Sequence, residues 1–240
     1  MRRSQEYVMP GHDDMQITVS ENGPYLVAGS IPLSRFTIGV DQQGGSAEWL
    51  PGPPIPAAAT YALCRCGQSR RKPFCDGSHA KTGFDGRETA SRKPYLQQAT
   101  LTEGPALSLT DAEPLCAFAR FCDPNGQVWN QVRRSDDPAI AEQFVRQVND
   151  CPGGRLRAWQ RGDNEPLEAE LPPSIGLIED PQQQVSGPLW VRGMIRLVGA
   201  NGHAYEVRNR VTLCRCGASR NKPFCDGSHA ADEVKFRDGL

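Results

Sequence analysis

Two stretches of the chain concentrate side chains that bind transition metals. Cys64, Cys66, Cys75 and His79 fall as C-x-C-x8-C-x3-H, and Cys214, Cys216, Cys225 and His229 repeat the spacing. Four soft or borderline donors in one short loop signal a metal. Cys75 and His79 stand four residues apart, so a helical turn begun at Cys75 would set both side chains on one face, able to meet one metal edge. Pro73 fixes the approach to that turn, while Gly67 and Gly77 permit the tight backbone geometry that a bulky group requires. Cys116, Cys122 and Cys151 bring the cysteines to nine. An odd count in tight clusters is unlike the disulfide framework of a secreted domain, and bound metal is the better expectation.

These loops need a scaffold, and an internal repeat supplies it. Residues 63–80 read LCRCGQSRRKPFCDGSHA and residues 213–230 read LCRCGASRNKPFCDGSHA, differing only at Gln68/Ala218 and Arg71/Asn221. The match extends upstream, where residues 23–33 line up with residues 187–197. Between the two blocks the offset falls from 164 to 150, so the first copy carries 14 extra residues. They are expected as an enlarged surface loop within the Gly- and Pro-rich residues 39–58. The spacing of Leu189, Val191, Ile195 and Leu197 predicts a half-buried strand broken at a glycine. In the second copy an Asn201-Gly202 turn and a return strand over residues 204–211 follow. Each copy is thus a small antiparallel β unit leading into its cysteine loop. Such a unit buries little alone, so the two are expected to pack about a pseudo-twofold axis within a monomeric chain.

The pattern Cys-x-Cys-x2-Ser-x3-Pro-x-Cys-Asp-Gly-Ser-His resembles the CDGSH iron-sulfur domain of the NEET family at every position, and it occurs twice. The resemblance implies a [2Fe-2S] cluster in each copy, with Cys64 and Cys66 on one iron and Cys75 and His79 on the other. Cys214, Cys216, Cys225 and His229 would repeat the arrangement. It also implies a covalently linked pseudo-dimer, since familiar members pair two single-domain chains. One imidazole in place of a thiolate removes negative charge, so the potential should lie above an all-cysteine ferredoxin and below the two-histidine Rieske range. Acid competes with iron for that imidazole and should make the cluster labile or its potential pH-dependent. Arg65, Arg70, Arg71 and Lys72, and likewise Arg215, Arg220 and Lys222, could offset the remaining negative charge. Electron transfer with redox proteins and cluster transfer to apo iron-sulfur acceptor proteins both follow. The alternative is a Cys3His zinc-binding interaction module with no redox role.

Between the copies, Cys116 and Cys122 precede a helix expected from an Asp137 N-cap and Pro138, with Ile140, Phe144, Val145 and Val148 on one face. Cys151-Pro152-Gly153-Gly154 stops it and a strand follows over residues 156–159. This order is similar to a divergent single-cluster ferredoxin domain. In the usual C-x2-C-x2-C run a second cysteine would fall at Ala119, so one ligand is missing. Three readings stand: a [3Fe-4S] cluster on Cys116, Cys122 and Cys151, a relic domain with buried thiols, or a spacer.

The organisation reads as an N-terminal tail (residues 1–20), a first CDGSH domain (21–104), a ferredoxin-like middle (105–165), a linker (166–184) and a second CDGSH domain (185–240). The fold class is α+β and β-rich. Lys and Arg number 27 against 28 Asp and Glu, a net charge of −1 that offers nucleic acid no basic field. A run of ~18 apolar residues, which a membrane span requires, is missing. Met1-Arg2-Arg3 lacks the apolar stretch of a twin-arginine signal, so the cytoplasm is expected. His12 and His203 read as ordinary surface or turn residues. No Ser-His-Asp arrangement, phosphate-binding glycine loop or paired carboxylate points to an enzyme, and Asp76 and Asp226 read as loop supports.

Overall fold

The computed structural model describes residues 14–163 and 165–239; the Met1-Arg2-Arg3 start and His12 lie outside the described residues. The first copy contributes β1 (Gln16–Val19), β2 (Tyr25–Ala28), β3 (Leu33–Val40), β4 (Ser46–Pro54) and β5 (Tyr61–Leu63). The middle holds β6 (Thr100–Glu103), β7 (Leu107–Asp111), a short α1 (Val128–Gln131), α2 (Pro138–Asn149) and β8 (Leu156–Gln160). The second copy supplies β9 (Ser174–Asp180), β10 (Val185–Arg192), β11 (Arg196–Val198) and β12 (Arg210–Leu213). The protein is β-rich α+β. Among the described residues no helix is long and apolar enough to cross a membrane.

The copies exchange strands. One sheet runs β11-β1-β2-β5 and another β12-β10-β9-β3-β4, so each is built on one copy and borrows from the other, the first taking β11 and the second taking the β3–β4 hairpin. Register makes the pseudo-twofold explicit: Ile17 pairs Leu197 in parallel, and the equivalent Ile175 pairs Leu33. Tyr25 pairs Leu63 as Leu189 pairs Leu213. The crossing is made where two consecutive residues take left-handed backbone, Gly29-Ser30 (φ 92° and 54°) and Gly193-Met194 (φ 79° and 58°). Glycine is required there, since a Cβ would lie 2.6 Å from the Asp14 carbonyl oxygen in one case and 2.4 Å from the Pro173 nitrogen in the other. Ile17, Val27, Leu33, Ile175, Val191 and Leu213 meet in one core shared by the two sheets.

Several expectations change. Gln16–Val19, read as tail, is a strand with Ile17 and Val19 buried. Ser174–Asp180, read as linker, is a buried inner strand, because the run Ile175 to Ile178 is apolar despite its Pro- and Gln-rich flanks. Thr100–Glu103, read as the end of the first copy, pairs with β7. β10 is buried along most of its length rather than on one face, because β9 and β12 flank it and cores lie on both sides. Beyond the Asn201-Gly202 turn the return is a single bridge, Val198 to Ala204, and β12 pairs with β10 instead. The 14 extra residues form no open loop either: the β3–β4 hairpin lets Trp49 stack against Trp190 and Phe121, at 4.6 and 4.7 Å between ring centroids.

The middle forms the antiparallel sheet β6-β7-β8 with α2 against it. Asp137 caps α2 as expected, its Oδ1 accepting from the Ala139 and Ile140 N–H groups at 2.9 and 3.4 Å. Phe144 and Val148 are wholly buried against Leu109, Leu156 and Ala158.

Candidate metal centres

Each cysteine loop leaves its edge strand and is pinned back onto it. Cys64 N–H donates to the Pro73 carbonyl at 2.8 Å and Cys75 N–H to that of Ala62 at 2.9 Å; Cys214 and Cys225 repeat this with Pro223 and Thr212, both at 2.9 Å. Inside the loop the Ser69 hydroxyl donates to the Phe74 carbonyl at 2.6 Å, and that of Ser219 to Phe224 at 2.7 Å. Asp76 accepts from the Arg70 and Ser78 N–H groups at 2.9 and 3.0 Å, and Asp226 from Arg220 and Ser228 at 2.8 and 3.1 Å. Both aspartates are loop supports.

The clamps bring the donors together in pairs. Cys64 and Cys66 Sγ lie 3.8 Å apart, and Cys214 and Cys216 Sγ 3.6 Å. Cys75 Sγ and His79 Nδ1 are 3.4 Å apart, as are Cys225 Sγ and His229 Nδ1. The second pair does not arise from an α-helical turn. Gly77 (φ 85°) and Gly227 (φ 86°) reverse the chain between Cys and His, and only Ser78–Ala80 and Ser228–Ala230 are helical, as single 3-10 turns. N–H groups of Gln68, Gly77, Ala218 and Gly227 point at cysteine sulfurs from 3.4 to 3.5 Å.

Among the described residues no three or more Cys, His, Asp or Glu gather about a single ion. Two donor pairs per loop, with N–H groups aimed at sulfur, are a donor set that fits an iron-sulfur group. The two loops also touch: a Cβ on Gly67 would lie 2.5 Å from the Cys216 carbonyl oxygen, and one on Gly217 2.6 Å from that of Cys66.

Electrostatics differ between the copies. Burial pushes the Cys225 thiol well above its ordinary value, and burial with the neighbouring Cys64 pushes Cys66 up to about 11. The Cys214 thiol is drawn down to about 6, chiefly by a hydrogen bond from Cys216, whose own proton is held correspondingly tightly. Burial and the Arg215 charge bring His229 down to about 4, which keeps its imidazole neutral and able to ligate. Of the expected charge-offsetting residues, Arg70, Arg71 and Arg220 are exposed, and Lys72 and Lys222 bind the Ser69 and Ser219 carbonyls at 2.9 and 2.7 Å. Arg65 and Arg215 are buried.

In the middle, Cys122 and Cys151 pack against the core of that region. Burial raises both thiols, and each is raised further by the nearby Cys116, so the three lie within electrostatic reach of one another. Phe118 and Arg120 take left-handed backbone (φ 56° and 61°). No protein acceptor among the described residues takes the N–H groups of residues 117–122. A cysteine loop with unused donors and alternating left-handed residues fits an anionic group. Ala119, at the place of the missing cysteine, is buried with Phe36, Phe121 and Trp190.

Sequence reasoning missed Tyr25, whose hydroxyl donates to the Cys214 and Pro223 carbonyls at 2.9 and 3.0 Å. Its counterpart is Leu189, and that mismatch between the copies was the available signal. Trp49 and Phe118 were missed for a similar reason, having no counterpart in the other copy.

Residues 22–80 and 186–230 match the family model described as iron-binding zinc finger, CDGSH type, and residues 102–161 match that of a divergent 4Fe-4S mono-cluster. No curated protein and no solved structure matches the chain. With these donor pairs, the matches make this chain an iron-sulfur protein in which two CDGSH-type regions flank a divergent 4Fe-4S mono-cluster region.

Proposed function

We propose that each CDGSH loop binds a [2Fe-2S] cluster through three cysteines and one histidine, and that the chain carries electrons or clusters to protein partners rather than turning over a substrate. The observation that carries this reading is the pairing of donors, Sγ with Sγ and Sγ with Nδ1, repeated in both loops. Bound there, a cluster supplies one-electron chemistry near a neutral imidazole. The protein orients the thiolates with backbone N–H groups and holds the loop with Asp76 or Asp226. The middle cysteines Cys116, Cys122 and Cys151 are read as a third centre of [3Fe-4S] type, supported by the unused N–H groups of their loop. The partners in this reading are redox proteins or apo iron-sulfur acceptors, and the thiol-rich donor set supports a reducing compartment such as the cytoplasm.

Iron, zinc and acid-labile sulfide analysis of freshly purified protein, with its visible spectrum, tests the reading. About four irons with matching sulfide indicate the two CDGSH centres, and about seven add the third. A colourless, redox-silent protein holding zinc would establish the interaction module instead.

A further inference from the structure

We propose that the two CDGSH centres divide the work: the first, on Cys64, Cys66, Cys75 and His79, is the port through which a cluster leaves for an acceptor protein, and the second is a retained centre closed over by the middle region. This rests on the reading that both loops hold [2Fe-2S] clusters. Two nearly identical loops in different surroundings provide an internal control. A Cβ on Gly77 would meet nothing within 4 Å, whereas one on Gly227 would lie 3.3 Å from Phe118 Cβ and 3.4 Å from the Cys116 carbonyl oxygen. Cys225 and His229 are only 2% and 4% exposed, while Cys75 and His79 are both partly exposed.

The inner pair runs the other way, with Cys66 buried and Cys216 partly exposed. The outer pair decides the matter, because the neutral imidazole is the donor an incoming thiolate displaces most readily.

Both positions at which the loops differ face the cover. Asn221 Nδ2 donates to the Pro114 carbonyl at 2.7 Å, whereas its counterpart Arg71 is exposed. Ala218 lines a cleft with Cys116 and Phe118, whereas its longer counterpart Gln68 is exposed. The cover is itself anchored on the second copy and its neighbours: Arg120 pairs with the buried Asp180 at 2.6 Å, and Phe121 stacks on Trp49. In transfer from the first centre, the bonds from iron to Cys64, Cys66, Cys75 and His79 break as acceptor thiolates bond to the same irons. The three freed thiolates take up three of the four protons that the acceptor thiols give up, the fourth passes to solvent, His79 leaves as the neutral imidazole it was, and no iron changes oxidation state.

The test mixes the full chain, loaded with both clusters, with excess apo-ferredoxin and follows acceptor loading by visible circular dichroism. Half of the CDGSH clusters should leave in one phase and the rest about tenfold more slowly. Cys75→Ser should abolish the fast phase and keep the slow one. Asn221→Arg, alone or with Phe118→Ala, should accelerate the slow phase towards the fast. A single uniform phase from a protein shown to hold two [2Fe-2S] clusters overturns the division alone, as does a surviving fast phase in Cys75→Ser. Absence of [2Fe-2S] clusters before mixing overturns the underlying reading and this inference with it.

Discussion

Arg65 and Arg215 occupy the same place in the two copies, between the first two cysteines, yet they bring different charge to their surroundings. Arg215 is bound by Glu179 at 2.7 Å and by Asp238. Arg65 has no carboxylate partner among the described residues; it donates to the Ser20 and Gly86 carbonyls and lies over the rings of Tyr25 and Phe84. A buried cation without a counter-charge stabilises an electron added nearby more than one already neutralised. The first centre should therefore be reduced at the higher potential. In a spectroscopic redox titration, two one-electron steps are expected from the CDGSH centres. Arg65→Gln should lower the upper step by about 60 mV, equivalent to a tenfold change in its reduction equilibrium, and leave the lower step in place. Steps that coincide, or a lower step that moves instead, would refute the assignment.

At the scale of elements, β2 of the first copy supports the metal loop of the second. Tyr25→Phe removes a buried hydroxyl that serves two carbonyls. Pro223 O keeps its bond from Cys214 N–H, but Cys214 O is left without a donor among the described residues. An orphaned buried acceptor costs about 1–3 kcal/mol. Urea unfolding should show that loss, and amide exchange should rise at residues 213–216 while residues 63–66 stay protected. Equal exchange in both loops would mean that Tyr25 acts only through the core. How much of this was legible follows from the range of each signal. Asp137, Pro138 and the spacing of Phe144 and Val148 specify α2 locally, and the helix forms as read. The two CDGSH-type loops were equally legible as motifs, since the cysteines and histidine of each lie within sixteen residues. Alternation along a strand specifies its buried face but not its partner, so the exchange of β3 and β11 left no mark beyond a glycine between two apolar stretches. β9 was hidden for a different reason: prolines and glutamines on either side of Ile175 to Ile178 outweighed a short apolar run.

For the molecule as a whole, the segment once read as a linker is where the middle and the second copy are joined. Glu168 accepts from Arg157 of β8 at 2.8 Å and pairs with Arg210 of β12 at 3.0 Å, and its side chain is only 8% exposed. Burial alone would raise its carboxyl, but the hydrogen bond from Arg157 and the charge of Arg210 prevail and hold it below the ordinary range. A folded-state value below the unfolded one means that the unfolded chain binds the proton more readily. The resulting stabilisation is fully present above the unfolded pKa of about 4.3 and fades as acid titrates through the folded value. Glu168→Gln deletes that charge at every pH and leaves Arg210, 2% exposed, without its carboxylate. Breaking one side of a buried pair costs about 3 kcal/mol. The cost should be largest near pH 7 and should shrink below about pH 4, where the wild-type carboxylate is itself being protonated. Urea midpoints of metal-free wild type and variant, compared at neutral and acid pH, measure that convergence. A gap that stays constant, or widens in acid, would show that Glu168 contributes packing rather than charge.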